Sequence, residues 1–336
     1  MKKFTAAVIQ MDSGNDVDQN LKELERFIEE AAEKNAKLIA MPENVNYVGD
    51  ESAKYAEDVP GGKTFCFLSE LAVKYGVWLH CGSIYEKNPA DSRPYNCTMV
   101  IGPDGELKAK YHKMHPFDVE IKNGPAVRES ERVCPGNEIV TVDTNEVGHW
   151  GLSICYDMRF GELYRLMALE GAEILFVPAD FTLNTGKDHW ETILRTRAIE
   201  NGCYVIAPGQ YGIKPKFQAY AKSLVVDPWG NVIAKASDQP CVITAEIDLD
   251  YLEEYADRYL LWKTGEGTSI SCAECRQSER EDEKRFFARN IISRPVWDNA
   301  LFCKADIWDG RQFPYTLLSP VLPQYPVPLS DCPLQI

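Results

Sequence analysis

The sequence predicts a mixed α/β fold, a sheet system with helices on its outer faces. Short apolar runs alternate with helical segments through most of the chain. Two pairs of runs are joined by turn sequences that close hairpins, and the strand–helix–strand order of the first third recurs in the middle.

Taken in order, residues 4–10 form a short apolar run suited to a buried strand. Leu21, Leu24, Ile28, Ala31 and Ala32 then recur at helical spacing, with Glu23, Glu25, Arg26, Glu29 and Glu30 on the other faces. A strand over 36–41 ends at Pro42-Glu43, and a helix over about 64–75 leads into a strand over 77–84. Runs at 98–101 and 106–111 flank Pro103-Asp104-Gly105, a hairpin signal. Strands follow at 150–154, 174–177 and 203–207, alternating with helices over 160–170 and 188–201. Strands at 223–226 and 232–236 are joined by Asp227-Pro228-Trp229-Gly230, and a last strand covers 242–247. Near residue 263 the character changes to a mixed-charge run and a proline-punctuated end, so the chain divides into a domain over 1–262 and an extension over 263–336.

The apolar fraction of 45% is ample for a core. Fifty-one acidic residues against 36 basic ones give a net charge of −15, which disfavours nucleic acid or an anionic membrane as partner. A small anion stays open, since one local arginine outweighs a distant field. The apolar run after Met1-Lys2-Lys3 is too short for a secretory signal, and no stretch reaches the roughly 18 apolar residues of a membrane span. A reduced cytoplasmic compartment is expected, in which the 11 cysteines stay free thiols. Cys272 and Cys275, followed by Cys303 and Cys332, have spacings too irregular for a zinc site, and no metal is expected.

Three residues stand out for chemistry. Cys155 ends a strand just before a helix, where a sulfur is rigidly held and the thiolate is favoured. Glu43 follows Pro42 at the carboxyl end of a buried strand, a position from which a carboxylate faces a crevice. Lys113 closes the hairpin strand, and a fixed ammonium there would stabilise an oxyanion. Each alone has a bland reading: a core cysteine, a solvated loop glutamate, a surface lysine with a buried stem.

Together, Pro42-Glu43, Tyr111-His112-Lys113 and the run Gly151-Leu152-Ser153-Ile154-Cys155-Tyr156-Asp157-Met158-Arg159-Phe160 resemble the three signatures of the nitrilase (carbon–nitrogen hydrolase) superfamily, in its order. Pro178-Ala179-Asp180-Phe181-Thr182, the segments 185–191 and 195–201, and Val225-Val226-Asp227-Pro228-Trp229-Gly230 resemble the branch of the omega-amidases and deaminated-glutathione amidases, and the likeness covers about residues 4–260.

The resemblance implies a four-layer α-β-β-α sandwich, a Glu-Lys-Cys site without metal or organic cofactor, and a homodimer built through the helices that flank the sheets. It implies that Cys155 attacks a small amide, Glu43 acts as base and then acid, and Lys113 supports the oxyanion. Glu129 matches a second family glutamate that positions substrate and lysine. Arg159, four residues past the nucleophile, would hold a substrate carboxylate in two hydrogen bonds, unless it pairs structurally with Asp157 or Glu162. Tyr156 and Asp180 are the other candidate substrate contacts. Asp180 departs from the small residue usual there, disfavouring a second carboxylate and suiting a cationic amine. An N-carbamoyl amine or nitrile hydrolase would use the same triad, and a catalytically silent scaffold is the alternative of another class. A Cys–His hydrolase finds no support beyond His112 and His115 flanking Lys113.

Overall fold

The computed structural model describes residues 3–120, 126–252 and 254. The proposed boundary at 263, the extension and its four cysteines lie outside these residues. The first sheet collects β1 (Lys3–Gln10), β2 (Ala36–Ala40), β3 (Trp78–His80), β4 (Ile84–Glu86), β5 (Tyr95–Ile101) and β6 (Leu107–His112). A two-stranded ribbon, β7 (Asp118–Glu120) and β8 (Ala126–Arg128), follows. The second sheet contains β9 (Thr141–Asp143), β10 (His149–Leu152), β11 (Ile174–Phe176), β12 (Tyr204–Ala207), β13 (Leu224–Val226) and β14 (Val232–Lys235). The chain then returns as β15 (Cys241–Asp248) to pair antiparallel with β1 at the edge of the first sheet.

In each sheet three central strands run parallel: β1, β2 and β3 in one, β10, β11 and β12 in the other. Parallel neighbours require crossovers. Helices α1 (Val17–Glu33) and α2 (Lys63–Tyr75) supply them on the first sheet, and α3 (Gly161–Leu169) and α4 (Leu183–Asn201) on the second. Asp16 caps α1 by accepting a hydrogen bond from Gln19 N at 3.1 Å.

Strand alternation explains why both faces of the first sheet are buried. Ala7, Ile9, Ile39 and Leu79 pack with Leu24, Phe27, Ile28, Leu68 and Leu71 of α1 and α2. Their neighbours Ala6, Val8, Leu38, Ala40 and Trp78 turn the other way into a core with Trp150, Leu152, Ile174 and Phe176 of the second sheet. Rings bridge the sheets: Trp78 meets Trp150 at 5.9 Å and His80 stacks on Phe176 at 4.3 Å. Leu163, Tyr164, Met167, Trp190 and Leu194 cover the far face of the second sheet. This is the four-layer α-β-β-α sandwich, and each fully buried aliphatic side chain adds about 1.5–3 kcal/mol to its hydrophobic term.

Three elements differ from expectation. The single strand over 77–84 is two, β3 and β4, because Gly82 turns the chain at φ +59, where a Cβ would lie 1.9 Å from Pro42 O. The helix expected over 160–170 is preceded by a tight 3₁₀ turn over Cys155–Arg159, so Arg159 belongs to that turn. Helix α4 begins at Leu183, five residues before the predicted start. No helix among the described residues is long and apolar enough to cross a membrane.

Candidate active site

Four elements deliver the chemistry. Pro42 stops the β2 ladder, and Glu43 projects from the strand end, 3% exposed. Lys113 leaves the end of β6 with its backbone N–H donating to Asn96 O at 2.9 Å. Glu129 opens a short 3₁₀ turn after β8. Cys155 stands between β10 and α3 with φ +50, a left-handed backbone costly for a residue with a Cβ. Its N–H donates to Pro178 O at 2.9 Å, which holds the turn in that shape.

These side chains converge. Glu43 Oε1 accepts from Lys113 Nζ at 2.9 Å and from Asn96 Nδ2 at 2.8 Å. Its Oε2 accepts the Asp180 N–H at 2.8 Å. Lys113, 2% exposed, also donates to Glu129, whose Oε2 lies at 2.9 Å and accepts the Phe117 N–H as well. Burial alone would lower the Lys113 pKa, but Glu129 and Glu43 hold it well above the ordinary lysine value. The Cys155 thiol is within electrostatic reach of Glu43 and Lys113. Burial, then the Glu43 charge, push it well above the usual thiol range, against the pull of Lys113. The thiolate that the strand-to-helix position led one to expect at Cys155 is therefore not favoured, and the thiol form is.

The cavity around Cys155 holds about 120 Å³, room for a small acyl chain and not for a macromolecule. Glu43, Lys113, Glu129, Cys155 and Asp180 all line it, with Lys214 beside them. Asp50, Arg132 and Lys216 also contribute to the wall, Asp50 pairing with Lys216 at 2.8 Å and with Arg132 at 3.4 Å. Lys214, its side chain 1% exposed, donates to Asp12 at 2.9 Å, Ser13 O at 3.0 Å and Gln210 Oε1 at 3.1 Å.

Arg159 and Tyr156 do not line this cavity. The Arg159 guanidinium lies over the rings of Tyr156 and Phe181, and its Nη2 is 3.2 Å from His189 Nδ1. Neither Asp157 nor Glu162 pairs with it, and it makes no ion pair among the described residues. Tyr156 packs edge-on against Phe117, itself a wall residue, at 5.1 Å. Tyr156 stands one aromatic ring behind the wall and Arg159 stands behind Tyr156, carried by the 3₁₀ turn rather than by a helix that starts at Cys155.

Several contributors escape a reading by motif. Asn96 holds Glu43 from the second position of β5, where an amide at the start of an apolar run was the only signal. Asp157, wholly buried, accepts from Ile154 N, Tyr111 OH, His115 N and His115 Nδ1 at 2.7–3.0 Å. It ties the turn carrying Cys155 to the segment carrying Lys113. The sequence placed it beside Arg159 only as a possible ion-pair partner. Glu86, Cys97 and His112 offer metal-type ligands close together, but Glu86 already holds Lys110 and His112 at 2.5 Å each, and an ammonium occupies the place of a cation.

Fold and site bring a buried thiol, an ammonium and two carboxylates to one cavity, and the comparisons give the family. The carbon-nitrogen hydrolase family model matches residues 5–257. The nitrilase and fragile histidine triad fusion protein NitFhit of Caenorhabditis elegans is 42% identical over 253 residues, 74% of this chain. The match spans only 57% of that fusion protein's length. The deaminated glutathione amidase of a Synechocystis strain is 39% identical, covering 76% of this chain and 95% of its own length. Human omega-amidase NIT2 is also 39% identical, covering 76% and 92%. Among solved structures, that of the C. elegans NitFhit protein aligns with TM-score 0.73 at 39% identity, covering 79% of this chain and 65% of the other. Yeast Nit3, of the nitrilase superfamily, aligns with TM-score 0.72 at 33% identity, covering 79% and 97%. The chain belongs to the carbon-nitrogen hydrolase family, and it is an enzyme of the amidase type.

Proposed function

We propose that the protein hydrolyses the amide of a small, carboxylate-bearing carboxamide through a Cys155 thioester. The observation that carries this reading is one buried carboxylate, Glu43, bonded to Lys113 and within reach of a thiol that needs a base. Glu43 takes the Sγ proton as sulfur attacks the carbonyl carbon, and Lys113 stabilises the oxyanion that forms. The intermediate collapses by breaking the C–N bond, Glu43 returns the proton to nitrogen, and ammonia leaves. Water then attacks the thioester, Glu43 takes its proton, and the free acid and thiol are released. Glu129 keeps the ammonium of Lys113 in place.

The carboxylate end of the substrate is assigned to Arg159, whose charge no acid neutralises among the described residues and which packs on Tyr156 behind the wall residue Phe117. Relatives named deaminated glutathione amidase and omega-amidase support an amide, rather than a nitrile or ureido compound, as the substrate of this chain. The test is ammonia release from matched amides, nitriles and ureido acids, with Cys155→Ala as control. Turnover of the amides alone, lost in the variant, is expected. Preference for a nitrile or ureido acid would overturn the substrate class, and undiminished turnover by Cys155→Ala would overturn the mechanism. We also propose a homodimer through the outer faces of α3 and α4, where Leu169 and Ile199 are exposed, to be tested by light scattering.

A further inference from the structure

The wall of the Cys155 cavity contains an acid whose bonding is incomplete. The backbone N–H of Asp180 is committed to Glu43, but its carboxyl Oδ1 is buried and has no hydrogen-bond partner among the described residues. A buried oxygen left unanswered costs about 1–3 kcal/mol. Neither neighbouring cation answers it. Lys214 has spent its three N–H donors on Asp12, Ser13 O and Gln210. Lys113 is held by Glu43 and Glu129.

The charges around this spot are also unbalanced. The charges that act on Asp180 are Glu43 and Asp12 against Lys113 and Lys214, two of each sign, so the Asp180 carboxyl itself is the acid left over. A substrate anion placed here would worsen the imbalance, and a substrate cation would reduce it. We propose that Asp180 seats a primary ammonium carried on the acyl portion of the amide, so that the substrate class is an amino-substituted carboxamide. This inference rests on the amidase reading above and narrows it. Burial, then Glu43 and Asp12, against Lys214 and Lys113, push the Asp180 carboxyl up to about 7, and an arriving ammonium settles it as a carboxylate.

The test uses the full chain and four pairs of amides that differ only by an ammonium: propionamide with 3-aminopropionamide, butyramide with 4-aminobutyramide, succinamate with asparagine, and glutaramate with glutamine. At one chain length or more, the ammonium member is expected to show kcat/KM higher by about tenfold, the scale of one charge-assisted hydrogen bond. Asp180→Asn should remove that preference. The ratio within a pair is the readout, so a loss common to both members does not blur it. Preference for the neutral member at every length, or a preference unchanged in Asp180→Asn, overturns the proposal.

A second measurement needs no turnover: protection of Cys155 from iodoacetamide by propylammonium against 1-propanol. Stronger protection by propylammonium at pH 8 than at pH 5.5 in the wild type supports the ammonium seat, even if no amide turns over and the amidase reading falls. Equal protection by the two additives overturns it, even if the neutral amides are hydrolysed well.

Discussion

The two ends of the cavity are built differently. Around Glu43 the strong groups answer one another: its oxygens hold Lys113, Asn96 and the Asp180 N–H, and Lys113 is gripped again by Glu129. Elsewhere on the wall the bonding is looser: Asp180 keeps an unanswered oxygen although Glu43 holds its N–H, and Asp50, Arg132 and Lys216 form a half-exposed cluster open to water. A closed network in low dielectric fixes the geometry that bond-making needs. An incomplete one costs stability and is satisfied by a ligand.

Removing one lysine from each end should give the largest contrast. Lys113→Met leaves Glu43 and Glu129 without their buried cation, a change expected to cost about 3–5 kcal/mol and abolish ammonia release. Lys214→Met leaves Asp12, whose side chain is 43% exposed and stays hydrated. Its expected cost is about 1–2 kcal/mol, mostly from the acceptors left on Ser13 and Gln210. Urea unfolding of both variants measures the difference. Equal losses would show that closure of the network is not what separates the two ends.

The same contrast marks what the sequence discloses. Glu43, Lys113 and Cys155 are legible because each sits at the end of a strand whose apolar run is plain, and because motif order adds what spacing lacks. Glu129 came with the motif as well. The first sheet, the outer helices and the hairpin at Gly105 follow from periodicity and turn residues. Arg159 was placed on the cavity wall because four residues along a helix return to one face, and the 3₁₀ turn breaks that rule. Asn96, Asp157 and Lys214 act across 42 to 202 residues of sequence, where no local pattern reaches. The split of one expected strand at Gly82 depends on the approach of Pro42 O, a tertiary contact.

Asp157 offers an intermediate test, since it joins the closed network from behind. Asp157→Asn keeps the shape but turns an N–H donor toward neighbours that all donate: Ile154 N, Tyr111 OH and His115 N. One of those bonds must then be lost, and the registry of Cys155 against Lys113 loosens. The expected result is a kcat lower by about 10–100-fold, the range for a displacement near 1 Å, with KM changed by less than about threefold. Slower alkylation of Cys155 should accompany it. A loss of thermal stability with kcat intact would reduce Asp157 to a packing role.

The unanswered oxygen of Asp180 leads to a prediction about stability against pH. Its folded pKa of about 7 lies above the ordinary value of 3.8, so between these values the folded protein keeps a proton that the unfolded chain gives up. This contribution is fully present below 3.8 and is lost as pH rises through about 7. Asp180→Asn removes the titration and should therefore stabilise the protein more at pH 8 than at pH 4, relative to wild type. Denaturation at the two pH values decides it, and a pH-independent difference would mean that Asp180 is not held as an acid.

The smallest effect belongs to Asp50, the carboxylate that Arg132 and Lys216 share. The Lys216 hydrogen bond and charge hold its pKa below the usual range, but the three side chains are 63%, 39% and 55% exposed, and water screens the pairs. Asp50→Asn should change stability by less than about 1 kcal/mol. It should nevertheless leave two cations on the wall without their acid, so KM for carboxylate-bearing amides should fall at low salt and return toward wild type as salt is added. Stability nearly unmoved while KM responds to salt would show that the open end serves ligands rather than the fold. A Lys113-sized loss of stability would place Asp50 in the closed network instead.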